Sequence, residues 1–241
     1  MSQMDASSGV YSPQEAELTA GTRIVPGVDY GFFTDTTLCI GCKACEVACK
    51  QWNSLPADGL DLTGTSYDNT GRLSATTWRH VNFVEQFTPD RSGARWLMMS
   101  DVCKHCANAG CLEACPTGAI IRNEFGDVYV QPDICNGCAY CTIACPFGVI
   151  DIQQDDGRAW KCTLCYDRQK DGLTPACAKA CPTQSIQFGD VDELRERASA
   201  RVGMLHERGV TDAYLYGADE NTSVGNLNAF FLLVDKPQVY S

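Results

Sequence analysis

The sequence predicts an α+β protein whose short helices and strands surround bound metal. Three observations lead to this prediction. The 241 residues include 16 cysteines, which fall into four groups of four. A unit of the form Cys-Pro-x-x-x-Ile occurs three times, and each copy indicates a helix end, a turn and a strand. Outside the cysteine groups, the apolar residues recur with the periods of a β-hairpin and of one longer helix.

The third cysteine group has the most specific spacing. It consists of Cys135, Cys138, Cys141 and Cys145, and Pro146 follows directly. Bacterial ferredoxins use this C-x2-C-x2-C-x3-C-P pattern to hold [4Fe–4S] clusters, with three thiolates on one cluster and the fourth on a neighbouring one. Proline ends the helical turn because it has no N–H to donate. The pattern therefore predicts an iron–sulfur centre.

The other three groups vary this spacing. The first continues as helix, because Lys50 and not proline follows its last cysteine. The second has a wider loop, and the fourth is split into two pairs. The first and third groups are compact, and each has a glycine two residues after its first cysteine, Gly41 and Gly137. A residue without a side chain lets backbone amides approach a cluster. The members of these groups are Cys39, Cys42, Cys45 and Cys49, then Cys103, Cys106, Cys111 and Cys115, and then Cys162, Cys165, Cys177 and Cys181.

Disulfides and structural zinc are the alternatives for so many cysteines. Disulfide frameworks belong mainly to short secreted chains with scattered cysteines, whereas C-x2-C pairs recur here. A zinc site with four cysteine ligands joins one C-x2-C pair to a distant second pair. The fourth group fits that pattern and the second fits it less well, but the two compact groups do not. Four [4Fe–4S] clusters are therefore favoured, and a mixture of clusters and zinc is the alternative.

The segments before the second cysteine group predict an arm, a strand and a hairpin. Residues 1–26 are polar and predict a loosely ordered arm, and 28–34 predict a short strand. Residues 78–87 alternate between apolar and polar side chains, and a turn separates them from a second strand at 95–99. This pattern is typical of a β-hairpin.

The segments after the second group predict short strands and one amphipathic helix. Asp190 and Glu193 form a capping box at the start of this helix. Apolar residues then recur at helical spacing up to Leu205, and Gly209 ends the helix. Strands are also predicted at 119–121, 128–130, 213–216 and 228–234.

The remaining composition favours electron transfer over catalysis. The net charge of −11 argues against a nucleic-acid partner. No apolar stretch approaches the length of a membrane span, so we expect no direct membrane span. The N-terminus lacks the features of a secretory signal. There is no dinucleotide fingerprint, P-loop or nucleophile elbow, so we expect no catalytic residues.

Histidines and lysines near the cysteines are weaker candidates. His105 lies inside the second group, where its ring is able to tune a cluster by hydrogen bonding. For it and for His80 and His206, a packed or solvated imidazole is the simpler interpretation. Lysines next to cysteines either offset the negative charge of clusters or are ordinary surface residues. They are Lys43, Lys50, Lys104, Lys161 and Lys179.

Four ferredoxin-type groups in this order, with the second widened and the fourth split, resemble the iron–sulfur subunits of molybdenum or tungsten bis-pterin oxidoreductases. The segments between the groups are similar to the beta subunit of respiratory formate dehydrogenases. This similarity extends over about residues 35–240. Its most specific segments are Cys39–Cys45, Trp52-Asn53, Tyr67–Asn69, Leu73–Ala75, Trp160–Cys165, Pro175–Cys177 and Phe230–Tyr240.

The resemblance implies a non-catalytic electron-transfer subunit with four [4Fe–4S] clusters. The implied partners are a catalytic subunit with a molybdenum or tungsten bis-pterin site, and a membrane cytochrome b or a soluble electron carrier. Dimethyl sulfoxide, nitrate or a sulfur compound are the alternative substrates. Respiratory members often end in a transmembrane helix, which this sequence lacks, so the final acceptor is open. The expected location is the periplasm, by export with the catalytic subunit and with membrane association through a partner, and the alternative is the cytoplasm.

The resemblance also implies two nested ferredoxin-like modules. The outer module comprises 35–100 with its inserted hairpin and 160–190, and the inner one comprises 101–159. An N-terminal arm, 1–34, and a C-terminal helix with strands, 191–241, pack on the modules or on a partner. The implied ligand sets are Cys39, Cys42, Cys45 and Cys181, then Cys49, Cys162, Cys165 and Cys177, then Cys103, Cys106, Cys111 and Cys145, and then Cys115, Cys135, Cys138 and Cys141.

Overall fold

Short helices and strands alternate along the chain, which confirms the predicted α+β fold. The structure is a computed structural model that describes residues 24–59, 62–218 and 223–240, so most of the predicted arm lies outside the described residues. In chain order the elements are β1 (Tyr30–Asp35), α1 (Ala44–Trp52), β2 (Arg79–Phe87), β3 (Ala94–Val102), α2 (Gly110–Glu113), β4 (Ile120–Arg122), β5 (Val128–Val130), α3 (Tyr140–Ala144), β6 (Asp151–Ile152), β7 (Ala159–Trp160), α4 (Tyr166–Lys170), α5 (Ala176–Lys179), β8 (Ile186–Asp190), α6 (Val191–Glu207), β9 (Tyr214–Tyr216), β10 (Ala229–Leu233) and a 3-10 helix (Pro237–Val239).

The largest sheet joins the two ends of the described chain. Its strand order is β8–β1–β10–β9, in which β1 pairs parallel with β10 and antiparallel with β8. Both β1 and β10 are buried along their whole length, as expected for central strands covered on both faces. On one face, Phe33 and Phe230 stack with ring centroids 5.5 Å apart. On the other face, Phe32 and Phe231 pack in the same core as the cysteine loops.

Helix α6 covers the face of this sheet that is remote from the cysteines. Asp190 caps the helix, because its carboxylate accepts the backbone N–H of Asp192 at 2.8 Å. Leu194 and Ala198 are buried against the sheet. The predicted helix and its N-cap are therefore confirmed.

The long hairpin β2–β3 is confirmed, although its second strand extends further than the predicted 95–99. Arg79 pairs with Val102 at its base, and Phe87 pairs with Ala94 at its turn. The predicted alternation of buried and exposed residues fails at the base, where Arg79, His80 and Val81 are all buried. The base is covered on both sides because it packs among the cysteine loops.

The hairpin also explains one of the two glycines in the compact cysteine loops. Gly41 has a φ of +65°, and a Cβ atom at this position would lie 2.6 Å from the sulfur of Met98 and from the Phe83 ring. Both the left-handed backbone and the close packing of the hairpin therefore require glycine here.

Two small hairpins connect cysteine groups: β4–β5 lies between the second and third groups, and β6–β7 lies between the third and fourth. The first is the strand–turn–strand link that the sequence predicts between the second and third groups. Among the described helices, none is long and apolar enough to cross a membrane.

Candidate metal centres

The sixteen cysteine side chains gather in four quartets, and each quartet takes three thiols from one group and one from another. Three quartets line separate cavities, and in the remaining one Cys49 is surrounded by thiols of the fourth group. Ligation of metal by these thiols stays a prediction. We name them quartet A (Cys39, Cys42, Cys45 and Cys181), quartet B (Cys49, Cys162, Cys165 and Cys177), quartet C (Cys103, Cys106, Cys111 and Cys145) and quartet D (Cys115, Cys135, Cys138 and Cys141).

The spacing of the last two cysteines in each group accounts for this exchange of thiols. These two cysteines are four residues apart, and each pair lies in or at the end of one short helix. Cys45 and Cys49, for example, both lie in α1. Four residues advance a helix by about 6 Å, so the two thiols reach different sites. Helix α1 packs against α5, and α2 packs against α3. Each helix of a pair therefore contributes one thiol to each of two quartets.

Quartets A, C and D each enclose a small cavity, of about 20, 20 and 10 Å³ respectively. A tetrahedral zinc site requires four sulfur atoms at about 2.3 Å from one ion. Within the described ranges, no three His, Cys, Asp or Glu side chains are arranged to hold a single ion. All sixteen cysteines are free thiols, so no pair forms a disulfide.

The four quartets form a row in the order A, B, C, D. Burial is the main reason that the thiol pKa values are raised, and thiols of adjacent quartets raise them further because they are close together. Across the three boundaries, these electrostatic pairs are Cys45 with Cys177, Cys162 with Cys103, and Cys111 with Cys141.

Solvent exposure changes along this row. All four cysteines of quartet B are buried. Cys42 in quartet A and Cys138 in quartet D are exposed. In quartet C, Cys103 is buried and the other three cysteines are half-buried. The row therefore reaches the surface at both ends, and quartet B is its most shielded part.

The raised pKa values of the thiols mean that metal binding must release protons. Burial raises the pKa of Cys45 and of Cys162 to about 12, and that of Cys141 to about 11. Without metal these thiols are protonated at neutral pH, and a metal must displace the protons to bind. At Cys115 burial acts in the same direction, but hydrogen bonds from Thr117 and the backbone outweigh it and lower the pKa.

Buried cations lie at two of the three boundaries. Arg79 lies between quartets A and B, and Lys161 lies between B and C, where cysteines of both flanking quartets raise their pKa values against the effect of burial. Among the described residues, Nε and Nη2 of Arg79 have no hydrogen-bond partner. An anionic cluster on either side would supply both the countercharge and the acceptors, so the residues present fit this group.

Sequence reasoning included Lys161 among five lysines but missed Arg79. Lys104 is also buried and lines the cavity of quartet C, so it is not an ordinary surface lysine. The other three lie nearer the surface. Lys43 pairs with Glu46 and Asp68, Lys50 pairs with Asp58, and Lys179 is exposed.

The three histidines differ in their surroundings. The Nε2 atom of His80 lies 2.7 Å from the carboxylate of Asp68, and that of His206 lies 2.8 Å from the carbonyl of Ala213. Both therefore fit the simpler interpretation of a packed, hydrogen-bonded imidazole. His105 is fully buried, and its Nε2 has no partner in the described part of the chain.

Comparisons with known proteins agree with this chemistry. Two family models, each described as a 4Fe–4S dicluster domain, match residues 38–119 and 94–191. The formate dehydrogenase iron–sulfur subunit of Haemophilus influenzae is 38% identical over 97% of this chain and 76% of its own length. The formate dehydrogenase-O iron–sulfur subunit of Escherichia coli is 42% identical over 86% of this chain and 68% of its own. One polypeptide of the anaerobic dimethyl sulfoxide reductase of Escherichia coli is 37% identical over 70% of this chain and 77% of its own.

Proposed function

Because this chain belongs to the family of formate dehydrogenase iron–sulfur subunits, we propose that quartets A to D each hold one [4Fe–4S] cluster and that electrons pass along the row. The unbroken row of four thiol quartets is the observation that supports this most. Bound clusters of this type accept and release single electrons. The chain itself supplies the ligands, the buried cations and the exclusion of water.

The two ends of the row are the points of electron entry and exit. Quartet B is buried on all four cysteines, whereas Cys42 and Cys138 are exposed at opposite ends. A redox partner that docks over either exposed cysteine approaches the row closely. Direct exchange with quartet B is blocked by the surrounding protein. The direction of electron flow then depends on which partner docks at which end.

The partners follow from the family. A catalytic subunit with a molybdenum or tungsten bis-pterin site docks at one end, and a membrane cytochrome b or a soluble carrier docks at the other. Substrate chemistry belongs to the catalytic subunit, and this chain is not catalytic by itself. The corresponding location is the periplasm, reached by export with the catalytic partner, and the cytoplasm is the alternative.

Formate is the favoured source of electrons. Relatives named as formate dehydrogenase subunits match 86% to 97% of the chain, whereas the dimethyl sulfoxide reductase polypeptide matches 70%. The second candidate is the same relay with dimethyl sulfoxide as the terminal acceptor of the complex.

Anaerobic purification of the complex from its natural host tests this function. Formate should reduce the clusters and produce their EPR signals within the turnover time. Dimethyl sulfoxide added to the dithionite-reduced complex should leave these signals in place. Reoxidation by dimethyl sulfoxide with no reduction by formate would favour the second candidate, and a colourless, zinc-containing complex would overturn both.

A further inference from the structure

His105 lies in the wall of the cavity of quartet C. It occupies the loop between Cys103 and Cys106, with a left-handed φ of +46°, and it lines the cavity together with the four thiols of this quartet. Its side chain is fully buried. A polar ring in such a place needs hydrogen-bond partners from the protein or from whatever fills the cavity.

One ring nitrogen has a partner, and this partner fixes the tautomer. The backbone N–H of Val128 lies 3.2 Å from Nδ1 of His105. A backbone N–H only donates, so Nδ1 must be the acceptor and carries no proton. In a neutral imidazole the proton is then on Nε2, which makes Nε2 a donor.

The donor at Nε2 has no acceptor in the protein. It is buried and unpartnered among the residues that the structure describes. The charged groups that act on the ring are Lys161, Arg122 and Arg79. All three are cations with donors and no acceptor, so none of them can satisfy Nε2–H.

We propose that His105 donates a hydrogen bond from Nε2 to a sulfur atom of the cluster held by quartet C, and that this bond raises the reduction potential of that cluster alone. The proposal rests on the proposed function, since it requires a cluster in quartet C. Hydrogen bonds to cluster sulfurs favour the more negative, reduced state, which is why they raise the potential.

The variant His105→Asn separates this role from a structural one. Asparagine tolerates the left-handed backbone, and its side-chain oxygen is able to accept the N–H of Val128 in place of Nδ1. Its amide nitrogen ends short of the Nε2 position, so the donor toward the cluster is lost. His105→Gln is the complementary variant, because its longer side chain brings an amide donor near that position. His206→Asn is the matched control at an exposed histidine that bonds to Ala213.

Potentiometric EPR titration of the anaerobically purified complex measures the effect. In His105→Asn, one of the four cluster potentials should fall by about 59 mV, which corresponds to a tenfold change in the one-electron equilibrium constant. The other three should stay unchanged, as should all four in His206→Asn. His105→Gln should recover part of the shift.

A spectroscopic signature tests the hydrogen bond itself. In protein labelled with 15N-histidine, pulsed EPR should detect a histidine nitrogen coupled to one reduced cluster, and this coupling should vanish in His105→Asn. Unchanged potentials in that variant, equal shifts of all four clusters, or no coupling in the unmodified protein would each overturn the proposal. Failure of the proposed function looks different, because the unmodified complex would then lack four cluster signals.

Discussion

Replacement of Arg79 by glutamine removes a positive charge from the boundary between quartets A and B. The guanidinium is buried, and its Cζ atom lies 4.6 Å from the centroid of the Phe32 ring. Its Nη1 donates to the side-chain oxygen of Ser100 at 3.1 Å. That oxygen lies 3.2 Å from the sulfur of Cys45. Burial leaves this charge unscreened, so its removal should make the clusters held by quartets A and B both harder to reduce.

The size of the effect follows from these distances. Two contacts of 3.1 and 3.2 Å in series keep Nη1 within about 6 Å of the Cys45 sulfur. At an effective dielectric constant of about 20, a unit charge at about 6 Å contributes about 3 kcal/mol. For a one-electron couple this corresponds to about 120 mV. The charge of a cluster is spread over many atoms, so we expect a fall of roughly 60–120 mV in both potentials.

Potentiometric EPR titration of the complex measures this fall directly. Arg79→Lys keeps the charge and should restore most of both potentials. Arg91→Gln is the matched control, because it removes the same charge from the exposed turn of the same hairpin. Two of the four potentials should fall in Arg79→Gln and none in Arg91→Gln. If no potential moves, or if all four move equally, the buried charge does not act on clusters A and B and this reasoning is wrong.

Three further predictions concern single residues. The EPR spectrum of Cys115→Ser should match that of Cys138→Ser and differ from that of Cys106→Ser, because Cys115 lies in quartet D; the opposite match would contradict the exchange of thiols. Burial raises the pKa of Asp127 from 3.8 to about 7, so the native state retains a proton that the unfolded state releases, and stability falls as pH rises from about 4 to 7. The melting temperature of Asp127→Asn, relative to the unmodified protein, should therefore rise more at pH 8 than at pH 4. The gain in the free energy of unfolding should differ by about 4 kcal/mol between the two pH values. An equal gain at both pH values would refute this. Asp190→Ala removes the N-cap of α6 and should destabilise the protein by about 1 kcal/mol in thermal unfolding; an unchanged melting temperature would show that the cap is dispensable.

Local patterns in the sequence were sufficient for most of the secondary structure. Cysteine spacing predicts the loops and the short helices, since a proline or lysine after the last cysteine decides whether the helix continues. Alternation between 78 and 87 predicts the hairpin, and Asp190 predicts the start of α6. Each of these features depends on residues within one or two turns of each other.

Features that depend on distant residues were not predictable. The pairing of β1 with β10 joins segments about 200 residues apart in sequence, and no local pattern encodes it. An arginine at the start of an alternating strand is typical of a solvent-facing position, and Arg79 is buried only because cysteine loops cover both sides of the hairpin base. His105 could be located from its place in the second group. Its tautomer could not, because that depends on the backbone N–H of Val128 in the distant strand β5.

The central claim is that thiols from distant segments converge on four iron–sulfur clusters in one row. Anomalous diffraction at the iron and zinc absorption edges, from anaerobically grown crystals of the complex, tests it most directly. The account predicts four compact iron peaks, about sixteen iron atoms in total, in the order of quartets A, B, C and D. Single zinc ions at any quartet, sulfur–sulfur bonds between these cysteines, or iron peaks shared out differently among the thiols would contradict it.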